Sequence, residues 1–211
     1  MEALELLSYA QRLQALAQAG LGYAVNSYDR ERYHEIRGIS ACLLQELTDE
    51  PFEKIMRVFA SEDGYQTPKV DVRAVIFRGA AEILLVSEKI DGGRWTLPGG
   101  WADVGLTPFE VAAKEVKEET GLLVEPLRLL ALFDKRRHPH PPQPWYVYKA
   151  FIHCEIRGGS LVEDTPETSS PRWFTLPEIE TLELSTDRIT SSQLKTLFAF
   201  ATNPALPALC D

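Results

Sequence analysis

Glu115, Glu118 and Glu119 stand within five positions of one another, in the run Lys114-Glu115-Val116-Lys117-Glu118-Glu119-Thr120-Gly121. If this run is helical, at about 100° per residue Glu118 lies about 60° to one side of Glu115 and Glu119 about 40° to the other. The three carboxylates then share one arc, and Lys114 and Lys117 point elsewhere. Two like charges about 4 Å apart repel by roughly 4 kcal/mol at an effective dielectric near 20. A hard cation turns that cost into coordination. Mg²⁺ takes a few carboxylates, keeps several waters and binds substrate phosphates at its open positions. A solvated acidic helix face carries the same residues. The Leu97-Pro98-Gly99-Gly100 turn just upstream favours the other reading, a site for a divalent metal and a diphosphate.

The elements that position these groups are legible around them. Thr107 is a good N-cap, Pro108 suits the first helical position, and Glu110 completes a Thr-x-x-Glu capping box. Gly121 follows the last turn, where a left-handed residue is expected. A strand ends at the double glycine. Further strands are expected over Val70–Ile76, Glu82–Ser87, Leu127–Phe133, Trp145–Ile156 and Arg172–Phe174. Pro177-Glu178-Ile179 starts a short helix and Thr190–Ala201 forms a last one. This order gives a mixed sheet between helices.

Residues 1–64 are different in kind. Leu4, Leu7, Ala10, Leu13 and Leu16 recur at helical spacing, and Gly20 and Gly22 are expected to end that helix. A second helix starts near Ser27–Asp29 and carries Tyr33, Ile36, Leu43, Leu44 and Leu47. Pro51 opens a third, with Phe52, Ile55, Met56 and Phe59 on one face. The result is a small helical domain that packs on the rest of the chain or on a second subunit. His34 sits among charges as a surface residue. Ser61–Lys69 is a polar linker, and a second domain is expected over residues 68–205.

Asp134–Pro144 is expected to be a loop, and its Asp134–His140 part is the richest basic patch, with Lys135, Arg136, Arg137, His138 and His140. Arg136 and Arg137 suit an anion clamp beside a diphosphate, through the bidentate geometry of the guanidinium. An exposed, proline-stiffened loop has the same composition. His138 and His140 lack a third metal ligand nearby. Trp101, Trp145, Tyr146 and Tyr148 are suited either to stacking on a base or to a core.

Across 211 residues the net charge is −9, which argues against DNA or other generic nucleic-acid binding but not against a nucleotide. Cys42, Cys154 and Cys210 are widely spaced and fit free thiols in a reducing compartment. The acidic N-terminus does not resemble a signal peptide, and no apolar run approaches membrane-span length. A cytoplasmic location is expected.

The stretch from Gly100 to Leu122 resembles the signature box of the Nudix hydrolases: Gly, five residues, Glu, seven residues, Arg-Glu-apolar-x-Glu-Glu-x-Gly-apolar. Gly100, Glu115, Val116, Glu118, Glu119, Gly121 and Leu122 match in register. Leu106 stands where the family has Glu, and Lys114 where it has Arg, which keeps charge but loses the planar fork. The resemblance implies an α+β fold, the Nudix α/β/α sandwich, preceded here by the small helical domain. It implies that Glu115, Glu118 and Glu119 bind Mg²⁺ or Mn²⁺, with the Gly99 carbonyl as a further ligand. Glu115 or Glu119 would be the general base, and Glu167 a distal candidate beside Glu163 and Asp164.

The helical module, then Pro68-Lys69-Val70-Asp71-Val72-Arg73, then Leu97 to Gly105 with Trp101-Ala102-Asp103-Val104-Gly105, is similar to one Nudix subgroup. Its members hydrolyse X-linked nucleoside diphosphates and include CDP-choline and ADP-ribose pyrophosphatases. The subgroup tolerates a non-acidic residue at the Leu106 position and implies a homodimer. The alternative function is a non-catalytic, nucleotide-sensing Nudix domain.

Overall fold

The computed structural model describes residues 3–60 and 64–211. The chain forms two compact units. The first comprises residues up to Pro68 together with Pro142–Tyr146, and the second comprises Lys69–Pro141 and Val147–Asp211. Residues 61–63, at the start of the expected linker, lie outside the described residues.

The first unit holds α1 (Ala3–Tyr23), α2 (Ser27–Leu47) and α3 (Phe52–Ala60). Asn26 caps α2 by accepting from the Asp29 amide. Leu7, Ala10, Ala41, Leu44, Ile55 and Phe59 form its core. Two expectations are corrected here. Gly20 and Gly22 do not end α1, which runs on to Tyr23. A Cβ on Gly20 would lie 2.4 Å from the Tyr33 ring, so this glycine admits a side chain of α2 instead of breaking the helix. The leucine stripe of α1 is also only partly internal. Leu4, Leu13 and Leu16 are exposed, while Gln11, Gln14 and Gln18 are buried.

The second unit contains β1 (Lys69–Val75), β2 (Phe77–Arg78), β3 (Glu82–Glu88), β4 (Arg94–Thr96), β5 (Gly99–Trp101), α4 (Pro108–Thr120), β6 (Leu122–Asp134), β7 (Val147–Gly159), β8 (Thr168–Thr175), α5 (Leu176–Ile179), α6 (Ser191–Thr202) and β9 (Leu209–Cys210). One sheet has the order β5-β1-β7-β6-β9; a second has β2-β3-β4, with β8 also on β3. The first sheet is mixed, because β1 runs parallel to β7 and antiparallel to β5. Val111, Ala112 and Val116 of α4 pack with Val72, Ala74, Ala150 and Ile152. Leu194, Leu197 and Phe198 of α6 pack with Val75, Leu85, Leu97 and Phe151. The unit is therefore an α/β/α sandwich, as the resemblance implied.

Strand boundaries shift from the sequence reading. β6 begins straight after Gly121 and passes through Pro126, where the ladder changes register at a bulge. A bulge leaves an amide out of the ladder, which is where a proline is tolerated. β8 begins at Thr168, ahead of the strand expected over Arg172–Phe174. The two-residue β9 has no sequence signal; it is held by parallel pairing with Ala131 and Leu132.

Candidate active site

The acidic helix is built as its caps dictate. Thr107 accepts from the Glu110 amide, the Glu110 carboxylate accepts from the Thr107 amide, and Gly121 ends the helix at φ +77°. Its carboxylates differ in placement. Glu115 and Glu119 are buried, whereas the Glu118 side chain is 58% exposed. Glu115 and Glu119 lie four positions apart, so both face β5, and Glu118 falls on the outer flank of the same arc.

The two glycines of β5 meet the inner carboxylates in different ways: Gly100 leaves room for Glu115, and Gly99 hydrogen-bonds Glu119. A Cβ on Gly100 would stand 3.2 Å from the Glu115 carboxyl carbon. Gly99 donates its N–H to Glu119 Oε2 at 3.0 Å. Its φ of +145° and the 2.1 Å that would separate a Cβ from the Val72 carbonyl oxygen restrict this position to glycine. Gly99 begins a strand paired with Arg73, where the sequence suggested a turn ending a strand. Lys114 does not point away from the acidic arc. Its amine reaches Asp103 at 3.0 Å, Glu115 at 3.4 Å and Glu118 at 3.5 Å.

Burial pushes the Glu119 carboxyl up to about 8; Arg73 and the Gly99 amide offset part of this, and the carboxylates of Glu88 and Glu115 add to it. Burial also raises Glu115, with Lys114 acting against it. Glu88, on β3, is raised by burial and by the charges of Glu167 and Asp91, against Arg188 and Arg73. Arg188 Nε lies 3.1 Å from Glu88 Oε1.

Beneath the glutamates lies a buried ionic relay that the sequence reading did not identify as part of the site. Arg73 donates from Nε to Asp71 Oδ1 at 2.9 Å and from Nη1 to the Leu97 carbonyl at 3.1 Å. The ammonium of Lys149 pairs with the other oxygen of Asp71. All three side chains are buried. Arg73 and Lys149 hold Asp71 down to about 2 despite its burial, and desolvation brings Lys149 down to about 8. One signal was available: Asp71 and Arg73 alternate with Val70, Val72 and Ala74 in a strand too apolar to be exposed.

The other candidates fall in several places. Glu167 is exposed, with its carbonyl accepting from the Lys89 amide. The hydroxyl of the next residue, Thr168, donates to the Glu119 carbonyl at 2.9 Å, which ties this segment to the end of α4. Asp164 pairs with Lys89 at 2.6 Å, and Glu163 is exposed. The Arg136 guanidinium is engaged by Asp134, and Arg137 is exposed. His138 meets the Asp211 carboxylate at 2.7 Å, and His140 Nδ1 meets the Thr186 carbonyl at 2.6 Å. Trp101 shares a row with Asp71, and Tyr148 shares one with Val70. Adjacent residues of a strand face opposite ways, so Trp101 and Tyr148 stand on opposite faces and do not form one stacking clamp.

Among the described residues no three His, Cys, Asp or Glu side chains converge as a ready-made ion cage. The residues present nevertheless fit a hard divalent cation: all are carboxylate or carbonyl oxygens, a Cβ on Gly100 would press on the Glu115 head, and like charges crowd the Glu119 head.

Residues 5–59 match the UDP-X-like, N-terminal oligomerisation domain, and residues 67–194 match the NUDIX domain. A Bacillus subtilis (strain 168) protein, YjhB, provisionally named an ADP-ribose pyrophosphatase, is 44% identical over 205 residues, covering 97% of this chain and 96% of that one. The solved structure of a UDP-X diphosphatase is 31% identical, covers 100% of both chains and superposes with a TM-score of 0.62. An ADP-ribose pyrophosphatase from Streptococcus suis 89-1591 is 36% identical over 69% of this chain and 100% of its own, with a TM-score of 0.60.

Proposed function

The chain belongs to the NUDIX hydrolase family, and from that premise we propose that it cleaves the diphosphate of a nucleoside diphosphate linked to another group, of the CDP-choline or ADP-ribose type, releasing a nucleoside monophosphate. The observation that carries this reading is the pair of buried carboxylates, Glu115 and Glu119, seated against the Gly99-Gly100 backbone with Glu118 on their flank.

In this reading Glu115, Glu118 and Glu119, with the Gly99 carbonyl, would hold Mg²⁺ or Mn²⁺, which would supply Lewis acidity towards the diphosphate. Glu115 or Glu119 accepts the proton of the attacking water, and Glu167 is the distal candidate for the same task. Arg137 is the freer of the two loop guanidinium groups for binding the diphosphate. Trp101 and Tyr148 would contribute to substrate binding separately, from opposite faces.

The helical unit supports a homodimer. Tyr9, Leu13 and Leu16 on α1 and Ile39 and Leu43 on α2 are exposed, and this unit matches an oligomerisation domain. A cytoplasmic enzyme fits three unpaired cysteines, and among the described residues no helix is long and apolar enough to cross a membrane.

The test is a panel of nucleoside diphosphate derivatives, including CDP-choline, ADP-ribose and UDP-linked compounds, assayed for nucleoside monophosphate with and without Mg²⁺ or Mn²⁺. Metal-dependent release supports the proposal. Tight binding without release across the panel would overturn it.

A further inference from the structure

The hydrogen bond that fixes the Glu119 carboxylate comes from the Gly99 amide, at 3.0 Å. What fixes Gly99 is therefore part of what aims Glu119. Two bonds tie the turn before Gly99 to β1: the Ala74 amide donates to the Pro98 carbonyl at 2.8 Å, and Arg73 Nη1 donates to the Leu97 carbonyl at 3.1 Å. Arg73 is itself opposite Gly99 in the sheet, so side chain and backbone of one residue grip both ends of the turn. The guanidinium has little freedom, because Nε and Nη2 both engage Asp71 at 2.9 Å and Asp71 is held from its far side by buried Lys149.

Lys114, at the basic position of the box, makes its contacts with Asp103, Glu115 and Glu118. The charge that most favours ionised Glu119 comes instead from Arg73 on β1.

We propose that Arg73 is a positioning residue for the reaction: held by Asp71 and Lys149, it fixes the Leu97–Gly99 turn so that the Gly99 amide aims the Glu119 carboxylate into the site. This inference rests on the reading of Glu119 as a member of the reacting site. Arg73 does not touch substrate in it. A lysine at the same place keeps the charge but loses the fork that reaches Asp71 and Leu97 together.

The experiment uses the full chain carrying Arg73→Lys or Arg73→Ala, with Glu119→Gln assayed alongside. For Arg73→Lys, kcat should fall about tenfold or more while KM stays within about threefold. In the metal-free protein the Gly99 amide should exchange its hydrogen about tenfold faster by NMR. Added guanidinium should restore part of the kcat of Arg73→Ala. A folded Arg73→Lys with wild-type kcat and wild-type Gly99 exchange overturns the proposal. Loss of the fold in both variants also overturns it, in favour of a purely structural role. If Glu119→Gln keeps full turnover, the reading of Glu119 fails. If Glu119→Gln is inactive and Arg73→Lys is wild type, only the relay fails.

Discussion

Among the described residues, buried charged side chains occur in only one of the two units. The helical unit buries amides and hydroxyls, Gln11, Gln14, Gln18, Ser40 and Thr48, and leaves Leu4, Leu13, Leu16, Tyr9 and Tyr23 outside. The unit built on the sheets buries ions: Asp71, Arg73, Glu88, Glu115, Glu119, Lys135 and Lys149. Buried amides are inexpensive when they find partners, as Gln14 does with Gln18 at 2.7 Å and Gln11 with the Gln143 carbonyl at 2.7 Å. Buried charges cost several kcal/mol each unless paired and hydrogen-bonded. The helical unit thus leaves apolar area exposed, and the other unit carries electrostatic cost at one place, the groups around Glu119. Stability and chemistry are separable on this view, and substitutions should divide accordingly.

The largest effect should come from Glu119→Gln. The fold should persist, since burial already favours the neutral form, while kcat falls about 10³-fold or more, roughly 4 kcal/mol of transition-state stabilisation. Circular dichroism with steady-state kinetics checks both halves, and a variant retaining most of its activity breaks the division.

Asp71→Asn should act in the reverse sense. It leaves Arg73 and Lys149 buried beside a neutral amide, and about 3–5 kcal/mol of stability should be lost in urea titrations. A loss no greater than for exposed Glu125→Gln would show that the relay is not held by charge pairing.

The pH dependence of the metal-free protein comes next. Glu119 has an ordinary value of 4.5 and stands at about 8 in the folded chain. The folded chain therefore binds more protons between those limits, and its stability falls as pH rises through them. In EDTA, Glu119→Gln should remove a stability loss on the order of a few kcal/mol between pH 5 and 8. An unchanged slope would mean that Glu119 is already ionised in the folded protein.

The smallest effect should be Leu106→Glu. Leu106 is 39% exposed, and Lys114 already has three acidic partners. Restoring the family's glutamate alone should leave kcat within about twofold. A large gain would show that positions 106 and 114 are not coupled.

Much of the candidate site's framework was legible because its signals are local. Thr107, Glu110 and Gly121 fix the ends of α4 from within a few residues, and the spacing of the glutamates fixes their arc. The double glycine marked where the backbone must come close. Long-range pairing left no such mark. Asp71 and Lys149 are 78 positions apart and meet only because β1 and β7 run parallel in that register. The same holds for Trp101 and Tyr148, whose opposite faces follow from pairings that periodicity does not reveal. In the helical unit the leucine spacing named the helix correctly but not its inner face, because the burial of Gln11, Gln14 and Gln18 is decided by neighbours.

Pro142–Tyr146 interrupts the sheet-forming sequence yet belongs to the helical unit. There the Gln143 carbonyl accepts from Gln11, the Tyr146 hydroxyl donates to the Ser8 carbonyl at 3.4 Å, and Lys54 lies 6.0 Å from the Trp145 ring. The helical unit is consequently not a detachable prefix. A fragment ending at Pro68 would leave the buried amide of Gln11 without its acceptor, and a gene fusion that grafted only the first 68 residues onto another protein would transfer an incomplete module. Inheritance of the two units is coupled, since five residues of one are encoded in the middle of the other.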